Sequence, residues 1–425
     1  MKNEMYELLE RLFPITRSIT GNGVRETFSI IQEHIPLIQH EVPSGTKAFD
    51  WIVPDEWNIR DAYIMDDDGN RVVDYQQSNL HIVSYSVPFE GTLTLDELKK
   101  HLFTLPEQPD LIPYVTSYYE RRWGFCMAHN KMNELKDGNY HIKIDSSLEP
   151  GSMTYGEFVV KGKSEKEILF STYVCHPSMA NDELSGPVIA TFFAKSLMDR
   201  AGSTKYTYRF LFLPETIGAI TYISKNFDRL KNIVFGGYVI TCIGDSGKFS
   251  YLKTRAGNTI SDRVAMHVLK HITHDYNLYE FLDRGSDERQ YNAPGVDLPI
   301  GSIMRSKHRT YPEYHTSADN LDFVSPMALN ESLSMVERLI ETFEINNIYI
   351  CIKSCEPQLG KYGLYNNISK KDMIGQNRLI KDVLAYCDGQ HDLLAVAEVI
   401  NRPIWTVKSI IDQLLNHKLI KLAKR

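Results

Sequence analysis

No run in the 425-residue chain holds the ~18 consecutive apolar residues that a membrane-crossing helix needs, which excludes a helical span. The amino-terminal MKNEMYELLERLF is an amphipathic helix pattern and lacks the apolar core of a secretory signal. Cysteine is sparse: there are six, none in a CxxC pair, and Cys351 and Cys355 stand four apart. Reduced structural thiols are therefore expected over disulfides or a thiolate metal site. Neither sign of charge dominates; 47 Lys and Arg face 54 Asp and Glu, net -7, which argues against nucleic-acid binding by the chain as a whole. Also missing are an HExxH zinc helix, a GxSxG elbow and a phosphate loop, since Gly244-Asp245-Ser246-Gly247-Lys248 lacks the required gap between its glycines. No repeat or low-complexity stretch appears. What is present, 43% hydrophobic and 24% charged residues of mixed sign, is a globular composition that excludes disorder. A soluble, cytoplasmic chain of roughly two to four domains is expected.

Four short, nearly continuous apolar runs occupy the middle: ILFSTYV at 168–174, YTYRFLFLP at 206–214, NIVFGGYVITCIG at 232–244 and LPIGSIM at 298–304. Such runs read as strands buried on both faces. Helical patterns at 183–199, 218–228 and 260–274 alternate with them, and a long amphipathic one follows at 326–346. The fold class predicted is α/β, a three-layer domain with a mostly parallel central sheet. Residues 37–111 differ, with Pro43, Pro54, Pro88, a DDDGN turn and alternating strands in RDAYIMDDDGNRVVDY and NLHIVSYSVPF, so they predict an inserted β-rich domain. The predicted α/β body then comprises 1–36 and 112–350. From 353 to 425 there are 12 Lys and Arg against 7 Asp and Glu, about +5. Three helical patterns with a turn at Asn401-Arg402-Pro403 and a basic tail, LIKLAKR, predict a winged helix over 351–425. A packing or dimerisation role is favoured there over DNA binding, because the helix in the recognition position carries only Lys408 and Lys418 with Asp412 between them.

Ligands of an open parallel sheet bind outside the carboxyl ends of its strands. After the first run come Cys175-His176 and Asn181-Asp182-Glu183-Leu184-Ser185-Gly186; after the second, Glu215-Thr216-Ile217-Gly218; after the fourth, a loop ending Tyr314-His315-Thr316. Two His, one Asp and one Glu thus fall at successive strand ends. His176, Asp182 and His315 can supply the three His and carboxylate ligands of a catalytic zinc, and Glu215 a carboxylate to take the proton of an activated water. Each has a plainer reading, a surface histidine or a helix cap, but four together favour a metal site. Cys175 as a nucleophile is set aside, since neighbours at a strand end should point apart.

At these residues the sequence resembles the zinc aminopeptidases that usually carry two co-catalytic zincs, a family related in fold to zinc carboxypeptidases and glutaminyl cyclases. The resemblance rests on Asn181-Asp182-Glu183-Leu184-Ser185-Gly186 for the bridging aspartate, Glu215-Thr216-Ile217-Gly218 for Glu-Glu-x-Gly, Gly285-Ser286-Asp287 with Tyr291 for a Ser-Asp loop, and Tyr314-His315-Thr316 for the last ligand. It covers about 130–345. The whole chain also resembles a bacterial group with an inserted β-rich module and a C-terminal winged helix, often placed among polysaccharide-biosynthesis proteins. The resemblance implies Glu215 as general base and Tyr314 as an oxyanion-stabilising group.

Two departures stand out. Thr216 replaces a metal-binding Glu, and Thr241 before Cys242-Ile243-Gly244 replaces another carboxylate, so one zinc ion is expected rather than two. Asp245 is the one nearby residue that could substitute as a ligand. Arg289, Arg121 and Arg17 are candidates to bind a substrate carboxylate, and Asp287 with Glu288 to bind a free amine. The expected activity is that of a zinc-dependent exopeptidase or amidohydrolase acting on a small peptide, amino acid or amide-bearing sugar. The alternative is a non-catalytic descendant that binds such a ligand and regulates through its winged helix. Nucleic acid is not the favoured partner, and a homo-oligomer is left open.

Overall fold

The computed structural model describes residues 2–364 and 371–423; the end of the basic tail lies outside these. The chain divides into two units, one of residues 1–261 and 277–333, the other of 262–276 and 334–425.

The first unit is built on an eight-stranded sheet. The four predicted runs form its centre as Thr207–Leu213, Glu167–Tyr173, Val234–Ile240 and Ile300–Met304, adjacent in that order and mutually parallel. Antiparallel strands flank them: Ser152–Val160 and Ile38–Pro43 on one side, Ser250–Leu252 on the other, with Asn277–Tyr279 at the far edge. Alternate side chains explain the layering. Phe170 and Phe210 face the helix Ser185–Met198 through Phe193, with ring centroids 5.1 and 5.5 Å away. Leu169, Leu211 and Val239 share the opposite core with Ile217, Tyr222 and Leu230 of the helix Ile217–Ile233. Both faces are covered, which is why these strands read as unbroken apolar runs.

The β-rich module has different boundaries from those expected. Ile38–Pro43 belongs to the large sheet, whereas Asn139–Glu149 is the central strand of a separate four-stranded sheet between Glu56–Met65 and Phe89–Thr94. The insert therefore extends to about residue 150 instead of 111, because its longest strand follows a long irregular excursion. NLHIVSYSVPF is not an alternating strand. Its serines are buried in specific hydrogen bonds, Ser84 Oγ to Ser18 Oγ at 2.7 Å and the Ser86 carbonyl accepting from Trp57 Nε1 at 2.9 Å, which hold the run in an irregular path.

The second unit contains a three-stranded antiparallel sheet, with Ile348–Cys351 between Asp388–Asp392 and Ile420–Leu422, and the helices Lys371–Ala385, Leu393–Val399 and Ile404–Asn416. Residues 262–276 and 334–350, expected in the α/β body, belong to this unit. Arg263 bridges Asp392 and Glu398, and Ile404 N donates to His267 Nε2 at 3.0 Å, so the winged helix is built around a helix from the middle of the chain. None of the six cysteines is paired. Among the described residues no helix is long and apolar enough to cross a membrane.

Gly186 sits where the helix Ser185–Met198 passes between two central strands, and a Cβ there would overlap the Ile240 carbonyl and Thr172 Oγ1. Gly186→Ala is expected to lose about 1–3 kcal/mol, read as a lower Tm and denaturation midpoint.

Candidate metal centre

The site forms where three strands end at the same sheet edge. Past Tyr173 the chain runs irregularly through Cys175 and His176, then winds Ala180–Leu184 as one π-helical turn, a feature common at functional sites. That turn is held at its start by Asp319, which accepts from Asn181 N at 2.6 Å and Asp182 N at 2.9 Å. Burial, and then the charge of Asp182, push the Asp319 carboxyl up to about 7.

His176, Asp182 and His315 do converge: one donor atom from each lies within 4.8 Å of the others. Asp182 Oδ2 is 3.0 Å from His315 Nε2 and 3.9 Å from His176 Nε2. Yet Asp182 Oδ2 and His315 Nε2 are both buried and neither makes a hydrogen bond. Orphaned donors aimed at one point, two imidazoles and a carboxylate, fit a zinc ion. Glu183 sets the imidazole of His176: its Oε2 lies 3.0 Å from His176 Nδ1, which directs Nε2 toward the cluster. His315 is held by its own strained backbone, φ 56°, by the ring of Tyr314 stacked at 3.9 Å, and by the edge of Tyr114 at 5.1 Å.

The other oxygen of Asp182 is occupied. Oδ1 accepts from Tyr173 Oη at 2.8 Å and lies 3.4 Å from Cys242 Sγ, while Thr241 Oγ1 is 2.5 Å from Tyr173 Oη. Thr241, at the position of an expected carboxylate, thus belongs to a hydroxyl chain ending on Asp182. Asp245 does not substitute as a ligand. Its oxygens accept from Asn181 Nδ2 at 2.9 Å, Ser306 Oγ at 2.8 Å and Ser306 N at 3.2 Å.

Glu215 reaches within 4.0 Å of His176 Nε2 and lines a cavity of about 320 Å³ with Ile19, Trp51, Tyr118, Tyr119 and Arg289. Burial and then Asp182 push its carboxyl above the ordinary value, against His176, Arg289 and His315, which pull it down. The ring of Tyr314 is half-buried, and its hydroxyl is pushed up by burial and by Asp182, Cys242 and Glu215, although Tyr314 is not among the residues lining the cavity.

The substrate-binding candidates separate. Arg289 is on the cavity wall, its Nη2 donating to Thr216 Oγ1 at 2.5 Å. Asp287 lies fully buried behind Thr216, accepting from Thr216 N at 2.7 Å, and Glu288 is fully buried too, so neither faces a free amine. Arg17 is fully buried and paired with Glu183 at 2.6 Å, so it supports the site from behind. Arg121 is an exposed partner of Asp55 at 3.6 Å and is absent from the wall; the neighbouring Tyr118 and Tyr119 line it instead. Cys175 does not point away from His176. The strand has ended before it, and its Sγ is 3.5 Å from His176 Nδ1. Burial pushes that thiol up to about 11, which keeps it protonated and unreactive. Glu183, Tyr173, Asp319 and the aromatic wall went unassigned in the sequence; only Glu183, adjacent to Asp182, carried a local signal.

Known proteins share the fold in outline. The chain is 49% identical over 422 residues, 99% of its length and 96% of the other's, to a Clostridium acetobutylicum protein called "putative polysaccharide biosynthesis protein with aminopeptidase-like domain". A crystal structure of a "putative peptidase" from the same organism superposes with a TM-score of 0.93 at 47% identity, covering 99% of this chain and 96% of that one. The zinc aminopeptidase BSAP of Bacillus subtilis has a TM-score of 0.58 at 12% identity, covering 80% of this chain and 94% of its own, a likeness of fold. A winged helix-turn-helix family matches residues 347–422. Residues 6–346 match the family described as "Domain of unknown function (DUF4910)", and the chain belongs to that family, with an aminopeptidase-like fold.

Proposed function

We propose that the chain is a zinc-dependent hydrolase, an exopeptidase or amidohydrolase, with His176, Asp182 and His315 holding one ion. The observation that carries this reading is the buried pair Asp182 Oδ2 and His315 Nε2, 3.0 Å apart and with no partner but each other, converging with His176. Zinc in such a site supplies a Lewis acid and lowers the pKa of a bound water. The chain's own groups complete the chemistry. Glu215, on the cavity wall within reach of His176, takes a proton from the attacking water on its carboxylate and returns it to the leaving nitrogen. Tyr314 donates its hydroxyl to the developing oxyanion. A single ion is supported by the occupation of Asp182 Oδ1 by Tyr173 and by threonine at both positions where the two-zinc enzymes carry carboxylates.

For the second unit we favour packing over DNA reading. In helix-turn-helix proteins the N-terminal end of the recognition helix contacts the bases. Here that end is covered within its own unit: Ile404 is fully buried, and Trp405 lies against His267, His271 and the Arg338 guanidinium, the last 4.7 Å from its ring centre.

Purified protein is expected to carry about one zinc per chain by elemental analysis. Glu215→Gln should keep the zinc and lower hydrolysis of an amide panel by about 10²–10⁴-fold, while His315→Ala should lose both; zinc-free wild type or an active Glu215→Gln would overturn the reading. Glu215 must be ionised to act, so kcat/KM should show an acid limb as pH drops through the pKa of its carboxyl, and the residual activity of Glu215→Gln should lack that limb. Fluorescence anisotropy with labelled duplex DNA at low salt should show no saturable binding; salt-sensitive binding would restore the DNA reading.

A further inference from the structure

The cavity beside the metal cluster has an unequal distribution of charge. Its metal-facing side carries His176 and Glu215, and its opposite side is Ile19, Trp51, Tyr118 and Tyr119, with Trp51 and Tyr119 edge to face at 5.6 Å. Arg289 is the only Lys or Arg among its lining residues, and Glu215 is the only acid. The guanidinium is held in place: Nη2 donates to Thr216 Oγ1, and the buried Nε has no hydrogen-bonding partner. No carboxylate lies within ion-pair distance of Arg289 among the described residues, although Glu215 and Asp287 feel its charge. A planar cation on the cavity wall, pre-positioned by one hydroxyl and facing no carboxylate at ion-pair distance among the described residues, offers donors that an anionic ligand can take.

We propose that this cavity selects substrates bearing an anionic group, a carboxylate or its equivalent, which Arg289 holds while the aromatic wall takes an adjoining ring or apolar side chain, and that it disfavours free amino termini. An ammonium group would need an acidic partner, and Glu215, the one acid on the wall, is committed to proton transfer. Asp287 and Glu288 are fully buried off the wall. An ammonium would also approach the fixed positive charge of Arg289 in a partly desolvated cavity, a repulsion that discriminates against it. Thr216 is central to this. Where the two-zinc aminopeptidases place a metal-binding carboxylate, this chain has a hydroxyl that anchors an arginine. Its backbone, at φ 66° for a β-branched residue, is strained, as expected where geometry is fixed for binding.

The inference rests on the hydrolase reading only for turnover, so binding is tested apart from it. In the zinc-loaded Glu215→Gln protein, calorimetry would compare three probes of similar size: N-acetylphenylalanine, its neutral amide, and phenylalaninamide with its free amine. The carboxylate should bind about tenfold or more tighter than either, and Arg289→Gln should erase that preference. Thr216→Val should weaken it and Thr216→Ser should restore it, which a merely structural role for Arg289 would not produce. Equal affinity for the three, or tighter binding of phenylalaninamide, would overturn the proposal. If the carboxylate preference is found but wild type hydrolyses nothing, the anion site stands and the hydrolase reading falls.

Discussion

The arrangement of the site depends on one buried carboxylate. Glu183 has no exposed side-chain surface, and its charge is met by Arg17 Nε at 2.6 Å on one oxygen and by Cys175 N at 2.6 Å, His176 N and His176 Nδ1 on the other. A carboxylate taken out of water is tolerated only when so fully matched, and removing one partner from such a pair costs about 3–5 kcal/mol. Arg17 also donates to the His176 carbonyl at 3.0 Å and the Leu12 carbonyl at 2.6 Å. One ion pair therefore fastens the amino-terminal helical segment under the metal loop, bends the chain at Cys175 and His176, and turns the imidazole so that Nε2 meets Asp182. The first 36 residues are part of the site's foundation although none of their charges reaches the cavity.

Around that anchor the backbone is strained in a pattern that follows the chemistry. Ser178, Thr216, Cys242 and His315 all have positive φ, at 43°, 66°, 46° and 56°, and all stand in the loops that follow central strands or carry ligands. Left-handed conformations at non-glycine residues are held only where surrounding contacts over-determine them. Each has such contacts here: Ser178 Oγ donates to the Phe13 carbonyl at 3.0 Å, Thr216 N donates to Asp287, Cys242 is fully buried with its Sγ near Asp182, and the His315 carbonyl accepts from Tyr114 N at 2.8 Å. These four stand in the four loops that follow the central strands at one sheet edge, where side chains from distant parts of the sequence meet within a few ångströms; other left-handed residues, such as Phe49, Asp297 and Asn401, lie elsewhere.

The fold's core was legible because its physics is local. Continuous apolar runs at 168–174, 206–214 and 298–304 are strands covered on both faces, and the structure has them within a residue or two of those limits. The convergence of His176, Asp182 and His315 was legible because strand-end chemistry and motif order agree. What was not legible depends on non-local contacts. The strand Asn139–Glu149 begins 45 residues after its nearer partner, Phe89–Thr94, ends, and nothing in its own pattern says which sheet it enters. Arg17 looked like a loop cation open to substrate; only its partner, 166 residues away, makes it structural. Arg121 drew attention to the right segment, but the cavity uses the aromatic pair before it, since charge stays in water where the apolar rings need not.

That last point bears on why the β-rich module is present. The α/β body supplies every donor of the metal cluster and the Glu215 carboxylate, all at strand ends of one sheet. Trp51, Tyr118 and Tyr119, by contrast, come from the insert, and with Ile19 they form the apolar side of the cavity. Trp51 and Tyr119 are large aromatics left substantially exposed, at 39% and 52% of their surface, which is costly for a surface with no ligand to cover. Chemistry and selectivity are thus carried by different parts of one unit. On the proposed reading, a change in the insert alters what enters the cavity without moving His176, Asp182 or His315, whereas a change in the body alters the chemistry itself.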